Sequence, residues 1–209
     1  MITEVTGILL AGGKSRRMGE DKRFVEIGTR TLLERSLDIL RSVFQDVMIV
    51  IAQDSPELPS VVPVARDLVA DCGSLGGLYT GLKRARTSRI FVVACDMPFF
   101  NQETVRYFVD LKGEADIVMA KLDNGWHPMH ALYGRRCLPV MESLMAAKDL
   151  RIHRLVEDPV LKSHVVTAED LKLIDPDGRA FVNINTPADL ESARSIFADG
   201  RLRNRPAQP

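Results

Sequence analysis

VTGILLAGGKSRRMGEDK, residues 5–22, decides how the chain is read. Val5–Leu10 is an apolar run that reads as a buried strand, and it ends in a Gly12-Gly13 loop. Four cations, Lys14, Arg16, Arg17 and Lys22, then fall within nine residues. Clustered cations repel unless an anion is near, and glycines let backbone amides close on one. In an α/β sheet, ligands dock at the carboxyl ends of the strands, where such a turn lies. The stretch therefore points to a polyphosphate site on an α/β fold. The plain alternative is a tight turn followed by a solvated basic loop.

Two standard phosphate templates fail here. The dinucleotide fingerprint GxGxxG is broken because Gly12 and Gly13 are adjacent and Gly19 lies too far on. The Walker loop GxxxxGK[ST] is broken because Gly13 to Gly19 is one residue too long and Glu20 stands where Lys is required.

Working outward, strands and helices alternate. Apolar residues at Leu32, Leu33, Leu37, Leu40 and Val43 or Phe44 predict a helix over Thr31–Phe44. VMIVIA, Val47–Ala52, is a second strand with both faces covered, as in a parallel sheet. A proline-marked loop leads to a short strand at Val61–Ala65. A helix over Ser74–Arg86 takes Ser74 as its N-cap. IFVVAC, Ile90–Cys95, is the third strong strand, stopped by Asp96 and Pro98. Further elements are a helix near Gln102–Leu111, strands at Asp116–Lys121 and Met129–Tyr133, and a helix over Arg135–Ala147. RAFVNINTPADL reads as a strand followed by a helix with Thr186 at its start and Pro187 in the first position. The series predicts a three-layer α/β/α, Rossmann-like fold with a mostly parallel sheet. One domain is expected over residues 1–198, in two parts of about 1–100 and about 101–198. The polar tail 199–209 is expected to be disordered.

Bulk properties narrow the class. At 209 residues the chain can bury one good-sized core. Lys+Arg and Asp+Glu are 28 each, so no overall basic surplus speaks for nucleic acid. Three widely spaced cysteines without a CxxC pair argue against a zinc site or a disulfide framework and fit a reducing cytoplasm. The early acidic residue and short apolar run at the N-terminus do not read as a signal peptide, and no apolar segment reaches the roughly 20 residues of a membrane span.

Single residues then carry the chemistry. Asp96, just past an apolar strand, can hold Mg²⁺, an ion that often uses one or two carboxylates plus substrate phosphates; a turn-forming aspartate before proline is the alternative. Lys22 can reach a triphosphate as a mobile point charge, or pair with Asp21 or Glu26 at the surface. Asn183 and Asn185 alternate, so in a strand they share one face and can bind phosphate or a metal-bound water. Capping by Asn185 is the competing role.

LLAGGKSRRMGEDK resembles the signature loop LAGGxSxRMGxxK of the nucleotidyltransferases that act on sugar phosphates and related acceptors. The whole chain most resembles the molybdenum cofactor guanylyltransferases, a MobA-like family, through GSLGGLYTGL (73–82), ACDMPF (94–99), WHPMHALY (126–133) and VNINTPADL (182–190). The resemblance implies transfer of GMP from GTP to molybdenum-molybdopterin, with Mg²⁺ as cofactor and a molybdoenzyme or cofactor-insertion protein as recipient. It assigns Asp96 to the metal, Lys22 and Arg16 to the phosphates, and Leu10, Ala11, Gly12 and Gly13 to the base through their backbone. Asp67 and Gly77 join the nucleotide site, although Asp67 can instead pair with Arg66 or Lys83 and Gly77 can serve packing. His127, Arg151, Asn183 and Asn185 fall to the acceptor. Ala52 and Gln53 depart from the asparagine common at the second strand's end, and Ser74 from a proline. A cytidylyl-transferring sibling, a sugar-phosphate enzyme and a non-catalytic nucleotide-binding protein are the alternatives; the Gly12-Gly13 pair favours guanine over cytosine.

Overall fold

The computed structural model describes residues 1–12 and 21–198. Gly13, Lys14, Arg16, Arg17 and the 199–209 tail, all named above, lie outside the described residues. The strands are β1 (Val5–Leu10), β2 (Glu26–Ile27), β3 (Arg30–Thr31), β4 (Val47–Ile51), β5 (Val64–Arg66), β6 (Arg89–Ala94), β7 (Ile117–Leu122), β8 (Gly125–Gly134) and β9 (Ser163–Val166). The helices are α1 (Leu32–Val43), α2 (Gly73–Arg84), α3 (Gln102–Asp110), α4 (Cys137–Ala146), α5 (Arg154–Glu157), α6 (Ala168–Leu171) and α7 (Pro187–Ala198).

Seven strands form one sheet in the order β5-β4-β1-β6-β8-β7-β9. Every neighbouring pair is parallel except those made by β8, which runs against both β6 and β7. Burial explains the pattern. β1 and β4 are buried at every position, so helices must cover both faces, and a parallel arrangement supplies them. On one face α1, α3, α6 and α7 pack over Leu9, Ile49, Phe91, Val93 and Leu132. On the other, α2, α4 and α5 cover Ile8, Leu10, Val50, Val92 and Tyr133. The layers are therefore α/β/α.

Local chemistry fixes the helix starts. Thr31 and Glu34 form a reciprocal cap on α1: Glu34 N donates to Thr31 Oγ1 at 3.2 Å, and Thr31 N donates to Glu34 Oε2 at 2.9 Å. Thr186 opens α7 as expected, with Pro187 its first residue. Asp189 Oδ2 accepts from both Asn185 N and Thr186 N at 2.8 Å, which fixes the chain just ahead of the helix.

Several sequence expectations shift. Ser74 is not the cap of α2; the helix begins one residue earlier, after Cys72, and no side chain caps it. The edge strand β5 starts at Val64, because Val61–Pro63 find no ladder partner beyond one bond from Ile49 N to Pro63 O. The strand expected within 179–185 is absent: a 3₁₀ turn spans Arg179–Phe181, and the chain then runs unpaired to Thr186. Ile184 in that segment is tied to a neighbouring chain segment through its backbone, its N donating to Asp96 O at 2.8 Å. The small β2–β3 hairpin and β9 were not expected. Neither carries a long apolar run.

Candidate active site

A cleft of about 330 Å³ opens at the carboxyl ends of β1, β4 and β6. It is lined by Leu10, Ala11, Gly12, Lys22, Asp67, Gly77, Asp96 and Asn183, eight of the residues singled out from the sequence. The topology brings them together. β1 feeds Leu10–Gly12, the end of β5 feeds Asp67, α2 brings Gly77, and the end of β6 brings Asp96.

Gly12 is required for a reason internal to the protein. A Cβ there would stand 2.8 Å from Ala52 N, so only glycine lets the chain leave β1 this close to the end of β4. Gly77 differs. A Cβ there would lie 3.4 Å from Leu10 Cδ2 and 3.5 Å from Asp67 Oδ1, ordinary contacts that would narrow the cleft beside Asp67 without displacing backbone.

One end of the cleft is built around Lys22. Its Nζ donates to Ile184 O at 2.7 Å and to Asn185 Oδ1 at 3.3 Å, and stands 3.6 Å from Asp96 Oδ2. Lys22 thus joins the signature loop, the end of β6 and the NINTP segment at a single ammonium. Burial pushes the Asp96 carboxyl up, and the Lys22 charge offsets part of that rise. Asn183 lines the cleft and Asn185 meets Lys22 although neither lies in a strand.

The other end is built around Asp67. Asp67 N donates to Ile51 O and Gln53 Nε2 donates to Asp67 O, both at 2.9 Å, while Leu68 N donates to Thr80 Oγ1 on α2. Gln53, a departure from the usual residue, braces this loop. Arg66 turns away to the Gln53 and Ser55 carbonyls, and Lys83 lies near Glu142. Asp67 Oδ1 is buried without a hydrogen-bond partner, and desolvation raises the carboxyl to about 6. A buried acceptor without a donor is costly. It is a site prepared for one.

Asp21 and Arg23 also line the cleft and were missed as site residues. Asp21 caps the 3₁₀ turn Lys22–Phe24 through Arg23 N, and accepts from Arg23 Nε at 2.9 Å. This clamp aims Lys22. Arginine is usually exposed, so nothing in the sequence distinguishes a buried Arg23 from a solvated one. The two remaining acceptor candidates stand apart from the cleft lining. His127 shares a 2.7 Å hydrogen bond with Asn124 Oδ1 and packs on Phe181, and burial lowers its pKa. Arg151 is exposed and donates to Asp149 at 2.6 and 2.7 Å.

Among the described residues no three His, Cys, Asp or Glu side chains converge as a metal site, and no helix is long and apolar enough to cross a membrane. Asp96 offers a carboxylate 3.6 Å from the Lys22 ammonium, a donor that fits an ion completed by substrate oxygens.

Residues 7–165 match the MobA-like NTP transferase domain family. A molybdenum cofactor guanylyltransferase of Desulfosudis oleivorans is 36% identical over 203 residues, covering 95% of this chain and 98% of that one. A probable molybdenum cofactor guanylyltransferase of Pelotomaculum thermopropionicum is 32% identical, covering 95% and 96%. In fold, the chain is similar to the crystal structure of molybdopterin-guanine dinucleotide biosynthesis protein A from Archaeoglobus fulgidus, with TM-score 0.79 and 24% identity over 93% of this chain and 100% of that one.

Proposed function

This chain belongs to the MobA-like NTP transferase family, and on that premise we propose that it transfers GMP from GTP to molybdenum-molybdopterin, releasing pyrophosphate and forming the guanine dinucleotide cofactor. The observation that carries the reading is the cleft itself, which has a cation and a carboxylate at one end and an unpaired buried acceptor at the other. Those two ends suit a triphosphate and a base that donates hydrogen bonds. Guanine presents N–H donors on its pairing edge to an ionised Asp67, and Gly77 leaves room beside it.

In the proposed reaction the acceptor's terminal phosphate oxygen attacks the α-phosphorus in line. The new O–P bond forms as the bond from the α-phosphorus to the β-bridging oxygen breaks, and the electron pair leaves with pyrophosphate. The phosphate nucleophile is already ionised, so no general base is required. Catalysis is then positioning and charge stabilisation. Lys22 moves from Asp96 and Ile184 O toward the phosphates, Arg16 braces the leaving group, and Asn183 and Asn185 orient the acceptor phosphate. Asp96 and the substrate phosphates would hold Mg²⁺, which when bound supplies neutralisation of the developing charge. Residues 1–100 carry the nucleotide, and residues 101–198, with His127 and Arg151, carry the acceptor. The enzyme works in the cytoplasm and passes its product to a molybdoenzyme or an insertion protein.

The test is to incubate the protein with each nucleoside triphosphate, Mg²⁺ and molybdenum-molybdopterin, and to measure pyrophosphate. Release with GTP is expected, and its loss in Asp96→Ala. Release with CTP alone would make the chain a cytidylyltransferase, and GTP binding without release would make it a non-catalytic carrier.

A further inference from the structure

Asn183 and Asn185 meet the acceptor's phosphate in the proposed reaction, and the register of β8 supplies a surface for its ring. β8 pairs with β6 only as far as His130 opposite Val93, so residues 125–129 project past the end of β6 toward the side on which Asp96 follows it. There residues 125–127 pair with β7 alone, Lys121 opposite Trp126 and Leu122 opposite Gly125. A bulge opposite Met119 and Ala120 contains Pro128, whose missing N–H costs nothing where the ladder is broken. Buried Tyr133 donates its OH to Pro128 O at 2.7 Å and fixes the bulge. The bulge breaks the alternation of side chains: Trp126 packs on the sheet face that carries Leu10, Val50 and α2, and Met129, within the bulge, packs against the cores on both faces. Met129 lines the nucleotide cleft. Trp126 therefore stands on the α2 face of the sheet, across the bulge from Met129.

Trp126 is half-buried at this position and is held in orientation. The His153 ring is parallel to it within 3°, with centroids 6.4 Å apart, and the exposed Lys121 places its Nζ 5.1 Å from the indole centroid. An aromatic face covered by a mobile cation is one a planar, electron-poor ring can occupy, and stacking of heterocycles on indole is a general recognition mode. We propose that Trp126, backed by His153, is the platform on which the acceptor's flat heterocycle stacks, with Lys121 moving to its edge to meet a polar or anionic substituent. This rests on the reading above that the acceptor is a pterin phosphate, and it deepens that reading by excluding acceptors with no planar ring.

Trp126 is the only tryptophan in the chain, so its emission reports this surface alone. Titration of the full-length protein with a phosphorylated 6-alkyl pterin, against free tryptophan as the optical control, is expected to quench the emission saturably, with or without GTP. Ribose 5-phosphate is expected to leave it unchanged. Trp126→Ala is expected to raise the acceptor KM about tenfold or more with the GTP KM within about twofold, and Trp126→Phe to restore most of the loss. Unchanged emission at pterin concentrations that saturate turnover, or a wild-type acceptor KM in Trp126→Ala, would overturn the platform. Should Trp126→Ala fail to fold, Trp126→Phe and the emission titration decide. Quenching without any nucleotidyl transfer would remove the proposed reaction and leave the platform standing; transfer without quenching would do the reverse.

Discussion

Two buried side chains without partners have opposite meanings. Asp67 lines the cleft, whereas His130 has neither ring nitrogen bonded and lies fully buried among Phe91, Phe108 and Phe181. Burial holds the His130 pKa down at about 3. Below the unfolded value near 6.5 the unfolded chain takes up a proton that the folded chain refuses. Stability from this residue is thus complete above pH 6.5 and falls, by roughly 1 kcal/mol per pH unit, as the pH drops toward 3. His130→Phe is expected to gain about 1–3 kcal/mol at neutral pH by removing the unsatisfied imidazole, and to flatten the acid limb of urea midpoints against pH; a destabilised variant with an unchanged acid limb would contradict this. Asp67 has its folded pKa raised to about 6, so its ionised form, the one proposed to accept from the base, is lost as pH falls through 6. GTP affinity is expected to weaken up to tenfold per pH unit below that point, and Asp67→Asn to bind weakly at every pH with a flat profile. Isothermal titration across pH 5–8 checks both.

At the scale of elements, the cleft depends on how strand ends and helix starts are fastened. Gly12→Ala forces a Cβ against the Ala52 backbone and is expected to lower stability by about 1–3 kcal/mol. Gly77→Ala removes a glycine from a helix, where it costs about 1 kcal/mol against alanine, so its stability should hold or rise while GTP affinity falls. A denaturant titration paired with a binding titration separates the two glycines. Asp189→Ala is expected to cost about 1 kcal/mol through loss of the α7 cap, and to lower turnover because Asn185 loses its anchor. Thr31→Ala, with a comparable cap loss on α1, should leave turnover intact. The elements legible in the sequence were those whose pattern is self-contained. Ile8–Leu10, Val47–Ile51 and Ile90–Ala94 are apolar throughout, and α1 carries both a capping pair and a helical stripe. β9 and the β2–β3 hairpin are short and depend on a partner. The 182–186 segment was taken for a strand because VNIN alternates, yet its backbone bonds to Asp96 O and Lys22, groups far away in sequence. The roles of Lys22, Asp67 and Asp96 rested on motif resemblance. The burial of Arg23 had no signature, since a guanidinium clamped to Asp21 reads in sequence like any surface pair.

In the whole molecule, one sheet joins two regions of different texture. Strands β5, β4, β1 and β6 are all parallel and end at the cleft, and beyond β6 the antiparallel β8 carries Trp126 past it. A nucleotide held by the first region and an acceptor held by the second would meet near Asp96. Binding to the folded state alone raises stability by mass action, about 3 kcal/mol at a hundredfold excess over Kd. For a domain of this size that is roughly 6–12 °C in Tm, and GTP with Mg²⁺ is expected to produce it where CTP does not. The most direct trial of the account is a crystal structure of the complex with GTP and Mg²⁺. The base is expected within hydrogen-bond distance of the Asp67 carboxylate, the triphosphate against Lys22 drawn off Ile184 O, and the ion on Asp96. A triphosphate bound elsewhere, with the Lys22–Asp96 pair intact, would contradict it.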